Sequence, residues 1–250
     1  MLIDGHAHLD EIDDIGVAIS EAKAAGVVAI VGVGVTLDSN RTILSLGQKY
    51  AGFIYPAIGY HPWDIRVETV DETLDFIGKH LSAGVALGEV GLDYKARVKK
   101  PLQREVLCRL LEIACRYGKP VILHCRFSHE RTLQLVRDFG VKRAVFHWFT
   151  GSVEILRKIL DHGYSISTTP ALERSPPLRE AVQYAPLERI LIETDSPVSY
   201  RGKPSRPVDV RRTAELVANI RGEPLERVAQ QTTENARQLY DLSPSILERL

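Results

Sequence analysis

No surplus of charge marks this chain: 32 basic and 32 acidic side chains cancel over its 250 residues. A protein that gathers nucleic acid by bulk positive charge lacks this balance, so a polyanionic partner has to be gripped locally. Long apolar runs are missing too. None approaches the roughly 20 residues a membrane span requires, and Met1 passes straight into Leu2-Ile3 without the basic and apolar regions of a secretory leader. The expectation is a soluble, unprocessed, cytoplasmic monomer with no membrane partner. Cysteine is scarce: Cys108, Cys115 and Cys125 are odd in number, and the first two lie seven residues apart in a helical pattern. That suits buried thiols in a reducing compartment better than a disulfide. No Ser/Gly-rich linker or low-complexity tract interrupts the sequence, so one domain over residues 1–250 is expected.

What is present is a regular alternation. Short β-branched runs (Leu2-Ile3-Asp4, then 27–33, 54–58, 85–90, 121–123, 144–146, 164–167 and 189–192) alternate with segments of helical period at 15–25, 41–50, 72–81, 102–117, 130–139, 153–162, 178–184 and 208–220. Gly26, Gly84, Gly118, Gly140 and Gly163 follow helical segments, which suits left-handed residues that close them. Eight strand-helix units in a chain of this length predict an α/β fold, a closed (β/α)8 TIM barrel. A further helical stretch at 224–240 is expected on the barrel's outside or bottom.

A barrel of this kind places its active site where strands end and the following loops begin. Metal-capable side chains fall at those points: His6 and His8 after the first run, then Glu89, His124, His147 and Asp195. A two-residue step on a strand aims both imidazoles of His6-Ala7-His8 to one side. Singly, each residue also has a plain structural reading. A core histidine bonded to a carbonyl looks like a ligand, and Asp195 suits a helix cap before Ser196-Pro197. A carboxylate at Glu89, beside Gly88 at the end of an apolar run, is costly unless paired or bound to a metal. Six such residues at equivalent strand ends make the structural readings collectively hard to sustain. Imidazoles and carboxylates in that number suit two divalent ions, with one carboxylate bridging; the mixed donor set leaves zinc, manganese and magnesium all open. His80 and His162 fall at helix ends and read as solvated histidines.

The ordered set His6-Ala7-His8, Gly59-Tyr60-His61-Pro62, Glu89-Val90-Gly91-Leu92-Asp93-Tyr94, Val121-Ile122-Leu123-His124, Phe146-His147-Trp148-Phe149-Thr150-Gly151-Ser152, Glu193-Thr194-Asp195-Ser196-Pro197 and Thr233-Glu234-Asn235-Ala236-Arg237 resembles the TatD family of metal-dependent deoxyribonucleases over essentially the whole chain. The resemblance implies that His6, His8, Glu89 and Asp195 hold one ion and Glu89, His124 and His147 the other, with Glu89 as the bridge. Asp195 would orient the attacking water and take its proton. Glu89 stands where many amidohydrolase-like barrels carry a carboxylated lysine, which separates this chain from lysine-bridged lactonases and phosphotriesterases.

His61 matches a family position near the substrate phosphate, although a loop histidine packed beside Trp63 reads the same. Arg126 could clasp a phosphate through its planar fork; a surface arginine is the alternative. Basic runs follow two ligand-bearing strands, Lys95, Arg97, Lys99, Lys100 and Arg104 in one case and Arg201, Lys203, Arg206, Arg211 and Arg212 in the other. Most are expected to be solvated, with some near a nucleic-acid backbone. Tyr60, Trp63, Phe127, Trp148 and Phe149 could stack bases or simply pack the loops. The chain departs from the usual family pattern at Cys125-Arg126-Phe127, His147-Trp148-Phe149 and Pro204-Ser205-Arg206-Pro207, which changes pocket walls and removes no ligand.

The resulting expectation is hydrolysis of DNA phosphodiesters at single-stranded or damaged ends by a metal-activated water. The alternatives are the same centre acting on another ester or amide, such as a D-aminoacyl-tRNA, and a non-catalytic barrel stabilised by metal.

Overall fold

A computed structural model of the chain describes residues 1–243; the expected domain end at 250 lies outside the described residues. Eight parallel strands form one sheet in sequential order: β1 (Leu2–Ala7), β2 (Val27–Val33), β3 (Ile54–Tyr60), β4 (Ala86–Asp93), β5 (Val121–Arg126), β6 (Ala144–Phe146), β7 (Ser165–Thr168) and β8 (Ile190–Ile192). Strands covered on both faces read as continuous apolar runs, and all seven residues of β2 are buried. The seam between β8 and β1 is closed by the segment after β8. The Asp195 amide donates to the His6 carbonyl at 3.0 Å, and the His8 amide to the Ser196 carbonyl at 2.8 Å. The sheet is therefore a (β/α)8 barrel, as expected, and the closing seam carries three of the candidate ligands.

Helices α1 (Ile15–Ala24), α2 (Leu37–Lys49), α3 (Val70–His80), α4 (Lys100–Tyr117), α5 (His129–Asp138), α6 (Val153–Asp161), α7 (Pro176–Tyr184) and α8 (Val210–Arg221) surround it. The main apolar core lies between this ring and the strands. A second cluster fills the barrel: Ile3, Ala29, Val31, Ala57, Ile122 and Val145 meet Leu239, Tyr240 and Leu242 from the end of α9 (Leu225–Leu239). The final helix thus plugs the bottom of the barrel. Buried Asn235 donates to the Leu187 and Ile190 carbonyls at 2.7 and 2.8 Å, and the Tyr240 hydroxyl to the Gly5 carbonyl at 3.1 Å.

Several expectations need correction. Gly84 is not left-handed (φ −94°), because a 3-10 turn over Leu81–Ala83 carries the chain out of α3. Cys115 is exposed, while Cys108 is half-buried and Cys125 buried, all three as free thiols. The apolar stripe of α4 runs through Leu107, Leu110, Leu111 and Ala114, and position 115 falls off it. A hairpin that the periodicity did not reveal pairs β9 (Ser199–Tyr200) with β10 (Lys203–Pro204). Its two turn residues, Arg201 and Gly202, both have positive φ (56° and 75°), the geometry that matches strand twist in a two-residue turn. Among the described residues, no helix is long and apolar enough to cross a membrane.

Candidate metal centre and active site

The carboxyl ends of the strands bring five histidines and two carboxylates into one buried cluster. His6 lies in β1 and His8 just beyond it, and their Nε2 atoms approach to 3.3 Å. The His8 Nδ1 stands 3.2 Å from the Val33 carbonyl, an acceptor that holds the ring proton on Nδ1 and leaves Nε2 with a free lone pair. Glu89 lies inside β4 and not at its end, since the strand continues to Asp93. Its two oxygens face two groups of nitrogens. Oε2 is 3.4 and 3.6 Å from the Nε2 atoms of His6 and His8. Oε1 is 2.8 Å from His124 Nδ1, 2.9 Å from His147 Nε2 and 3.5 Å from His61 Nε2. Asp195 completes the first group, with Oδ1 at 3.5 Å from His6 Nε2 and 3.3 Å from His8 Nε2.

Close backbone approach makes this possible. A Cβ at Gly59 would sit 2.5 Å from the Glu89 carbonyl oxygen, and one at Gly91 only 2.0 Å from that of His124. Both positions need glycine so that β3, β4 and β5 can converge around the Glu89 carboxylate.

Two further carboxylates, Asp93 and Glu193, orient the histidines from behind. His124 Nε2 is 3.1 Å from Asp93 Oδ2, and His147 Nδ1 is 3.1 Å from Glu193 Oε1. Each carboxylate accepts the proton of one ring nitrogen and turns the other nitrogen toward Glu89. His61 is arranged the opposite way. Its Nδ1 accepts the backbone N–H of Trp63 at 3.2 Å, so in the neutral ring the proton is on Nε2 and points toward Glu89. A fifth carboxylate, fully buried Asp4, accepts the Thr194 amide at 2.9 Å and its hydroxyl at 2.6 Å, bracing the segment that carries Asp195.

Electrostatics follow from this crowding. Burial drives the Glu89 carboxyl upward, but the surrounding His147 and His61 charges and the bonds from His124 and His147 outweigh it and hold Glu89 well below the usual range. Burial alone would lower His8, yet Asp195 and Glu89 raise it to about 9. His147 is raised well above its ordinary value by Glu89 and Glu193 against the same burial penalty, and His124 is raised by Asp93 and Glu89. Asp195 is lowered, its burial outweighed by His8, His147 and His6. His61 moves down, chiefly through burial. Asp4 is pushed well up by burial, which its bonds from Thr194 only partly offset.

The donor set fits divalent cations. Buried Asp195 Oδ1 and His6 Nδ1 have no hydrogen-bond partner, and an orphaned buried carboxylate oxygen facing two imidazoles is a group that an ion satisfies. Two overlapping trios could each hold one, His6, His147 and Asp195 or His6, His8 and Glu89; a third, His61, Glu89 and His124, lies as close together but would require the His61 Nε2 proton to leave. A cavity of about 460 Å³ opens over His124 and His147, between Trp63 and Trp148, with Arg126 on its lining. A larger one, about 570 Å³, lies at the barrel bottom beside Met1 and α9 and holds none of the cluster.

The six expected ligands therefore meet, and His61 joins them more intimately than a substrate contact alone requires. Arg126 stays outside the cluster, exposed at the end of β5 on the cavity wall. Asp93, Glu193 and Asp4 went unassigned in the sequence, although each is a carboxylate in or just after an apolar run, the sign that singled out Glu89. Two of the five candidate stacking aromatics belong to the core: Phe149 is buried, and Tyr60 is buried with its hydroxyl 2.9 Å from Thr69. Much of the second basic run is neutralised. Arg201 and Arg212 both pair with Glu173, Arg206 with Glu21 at 2.8 Å, and Arg211 with Glu215 at 3.1 Å. In the first run, Lys95 lies over the Phe127 ring and Lys100 over Tyr94. His80 and His162 sit at helix ends as expected, each ring bonded to the carbonyl four residues back.

Fold and site together define a metal-dependent hydrolase on a (β/α)8 barrel. The family model described as TatD related DNase matches residues 3–241. The chain is 31% identical to human "Deoxyribonuclease TATDN3" over 267 aligned residues, covering 99% of this chain and 97% of that protein. It is 34% identical to the "Uncharacterized metal-dependent hydrolase YabD" of Bacillus subtilis (strain 168), covering 97% of this chain and 100% of that protein. Among solved structures, the TatD homolog YjjV from Escherichia coli K12 superposes with a TM-score of 0.88 at 27% identity, covering 97% of this chain and 98% of that one. The chain belongs to the TatD family.

Proposed function

We propose that this protein hydrolyses phosphodiester bonds of DNA, trimming single-stranded or damaged ends, with two divalent ions held across Glu89. The observation that carries the reading is the split of Glu89: Oε2 faces His6 and His8, while Oε1 faces His124 and His147. His6, His8 and Asp195 with Glu89 would hold one ion, and His124 and His147 with Glu89 the other. Such ions, when bound, supply a water of lowered pKa and positive charge beside the phosphoryl oxygens.

The protein's own groups then have separable tasks. Asp195, kept ionised by the histidines around it, accepts the proton of the attacking water. His61 presents its Nε2–H as a donor to a phosphate oxygen. Arg126, at the exposed end of β5, clasps a non-reacting phosphate oxygen pair. Asp93, Glu193 and Asp4 hold these groups in place. The name of the TATDN3 relative, a deoxyribonuclease, supports the substrate class, and that of YabD, a metal-dependent hydrolase, supports the chemistry.

The test is purified protein supplemented with magnesium, manganese or zinc, assayed on end-labelled single-stranded DNA, RNA and aminoacyl-tRNA, with its metal content measured first. Shortening of DNA supports the reading. Turnover of aminoacyl-tRNA with intact DNA replaces the phosphodiester by a carboxylic ester on the same centre. A lowered melting temperature on chelation, with no turnover of any substrate, reduces the ions to a structural role.

A further inference from the structure

Both tryptophans of this chain line one cavity. Trp63 and Trp148 are the only two in the sequence, and both face the space of about 460 Å³ over His124 and His147. Its size lies within the about 300–1,000 Å³ of small-ligand pockets. Beside the indoles stand Cys125, Thr150 and Ala171, and Arg126 supplies the cation. We infer that this cavity is a nucleobase subsite, which holds one unstacked base of the substrate against the indoles while its phosphate lies over Glu89. The inference rests on the phosphodiesterase reading and adds the group next to the reacting phosphate.

Three observations carry it. The first is chemical: two indoles and small side chains offer a planar aromatic guest the faces it stacks on, and base stacking on aromatic side chains tolerates any base. The second is exposure. Trp63 is 56% exposed beside the buried histidine and carboxylate cluster: its ring meets His61 and His124 at centroid distances of 4.8 and 5.9 Å, and more than half of its surface is left open to a guest. The third is that each tryptophan is fastened to the carboxylate that orients a histidine of the centre. Trp63 Nε1–H donates to Asp93 Oδ2 at 2.5 Å, and the same oxygen stands 3.1 Å from His124 Nε2. The backbone N–H of Trp148 donates to Glu193 Oε1 at 3.0 Å, the oxygen that stands 3.1 Å from His147 Nδ1. Trp148 is also held at φ +40°, a conformation unusual for a bulky residue, with its amide 3.1 Å from Ser167 Oγ. The pocket walls and the ligands thus share supports, so a base seated between the indoles fixes the neighbouring phosphate relative to Glu89.

Because no other tryptophan is present, tryptophan emission, excited beyond the absorption band of the nine tyrosines, reports on this cavity alone. The experiment titrates the magnesium-supplemented full chain with deoxyadenosine 5′-monophosphate and, separately, with deoxyribose 5-phosphate, which carries the same phosphate without a base. The expected result is saturable quenching by the nucleotide, little by the sugar phosphate, and nucleotide binding weakened about tenfold in Trp148→Gly. Glycine accepts the positive φ, and Trp148→Phe should restore most of the affinity. Equal response to the two ligands, or unchanged nucleotide affinity in Trp148→Gly with its circular dichroism intact, overturns the subsite. DNA shortening is scored independently. A protein that cuts DNA yet treats the two ligands alike rejects the base pocket alone, whereas base-dependent quenching without DNA cleavage keeps the pocket and rejects the phosphodiesterase reading.

Discussion

Asp93 stands 3.1 Å from His124, oxygen Oδ2 to nitrogen Nε2, and it is this carboxylate that turns the other ring nitrogen of His124 toward Glu89. The Asp93 carboxyl is held far below its usual range: burial would raise it, but bonds from His124, Trp63 and the Lys95 amide prevail. A charged acceptor behind an imidazole raises its basicity and fixes its orientation, and loss of such a partner typically costs 10- to 100-fold in metal affinity. Asp93→Asn keeps the shape and removes the charge. Calorimetric titration with zinc or manganese should show affinity lowered by about that factor; wild-type affinity would mean that His124 does not depend on Asp93.

Charge within the cluster gives the metal-free protein a pH-dependent stability. In the folded state His8 titrates at about 9 and His147 well above its ordinary value, whereas both titrate near 6.5 in an unfolded chain. Folded-state pKa values above the unfolded ones mean stability that is complete below about pH 6.5 and lost as pH rises through 9. Glu89 and Asp195 are depressed, so their contribution is present above the unfolded carboxylate values near 4 and disappears as pH falls further. In chelator, the melting temperature should fall between pH 6.5 and 9. With divalent metal present the dependence should reverse, because ligation displaces protons and strengthens as pH rises. A melting temperature that rises with pH in chelator would contradict this assignment of charges.

Arg126 lies on the cavity wall with its side chain exposed, away from the Glu89 cluster. A guanidinium that grips substrate without entering the reaction contributes to binding more than to turnover. Arg126→Ala should raise KM for DNA by about tenfold or more, as expected for loss of a charged hydrogen bond, with kcat much less affected. The slope of log affinity against log salt should fall by about one. Arg126→Lys should recover only part of the loss, since an ammonium lacks the planar fork. A change confined to kcat would place Arg126 in the chemistry instead.

The eight strands were legible because each is an apolar run long enough to cross the barrel wall, and six ligands were legible because they recur at one end of those runs. Glu89 was found while Asp93, four residues on, was not. The run was expected to stop at Val90, but β4 continues through Leu92 and Asp93 to pair with β5. Glu193 and Asp4 share that lesson, as both act on partners distant in sequence. Glu173, which absorbs Arg201 and Arg212, is likewise 28 and 39 residues from them. Local charge counting saw a basic run there, and only tertiary contact reveals its neutralisation. Phe149 and Trp148 are adjacent, yet one is buried and the other lines the cavity, because the chain turns at Trp148 with φ +40°.

Asp4 ties the first strand to the segment after the last. Its carboxyl accepts both the amide and the hydroxyl of Thr194, which adjoins Asp195. Asp4→Ala should lower stability by about 1–3 kcal/mol, the cost of leaving a buried donor unsatisfied. Denaturant unfolding checks the size, and metal affinity should fall as well because Asp195 loses its brace. Full stability and full metal affinity in the variant would remove Asp4 from this role.

The central claim is that Asp195 takes a proton in a phosphodiesterase centre bridged by Glu89. Single-turnover cleavage of end-labelled single-stranded DNA by metal-loaded wild type and Asp195→Asn tests it most directly, with bound metal quantified in both proteins. A general base accounts for about 10²–10⁴-fold in rate, and Asp195→Asn should lose at least that much even when its metal content is brought to the wild-type level. Equal cleavage rates at equal metal content would contradict the account.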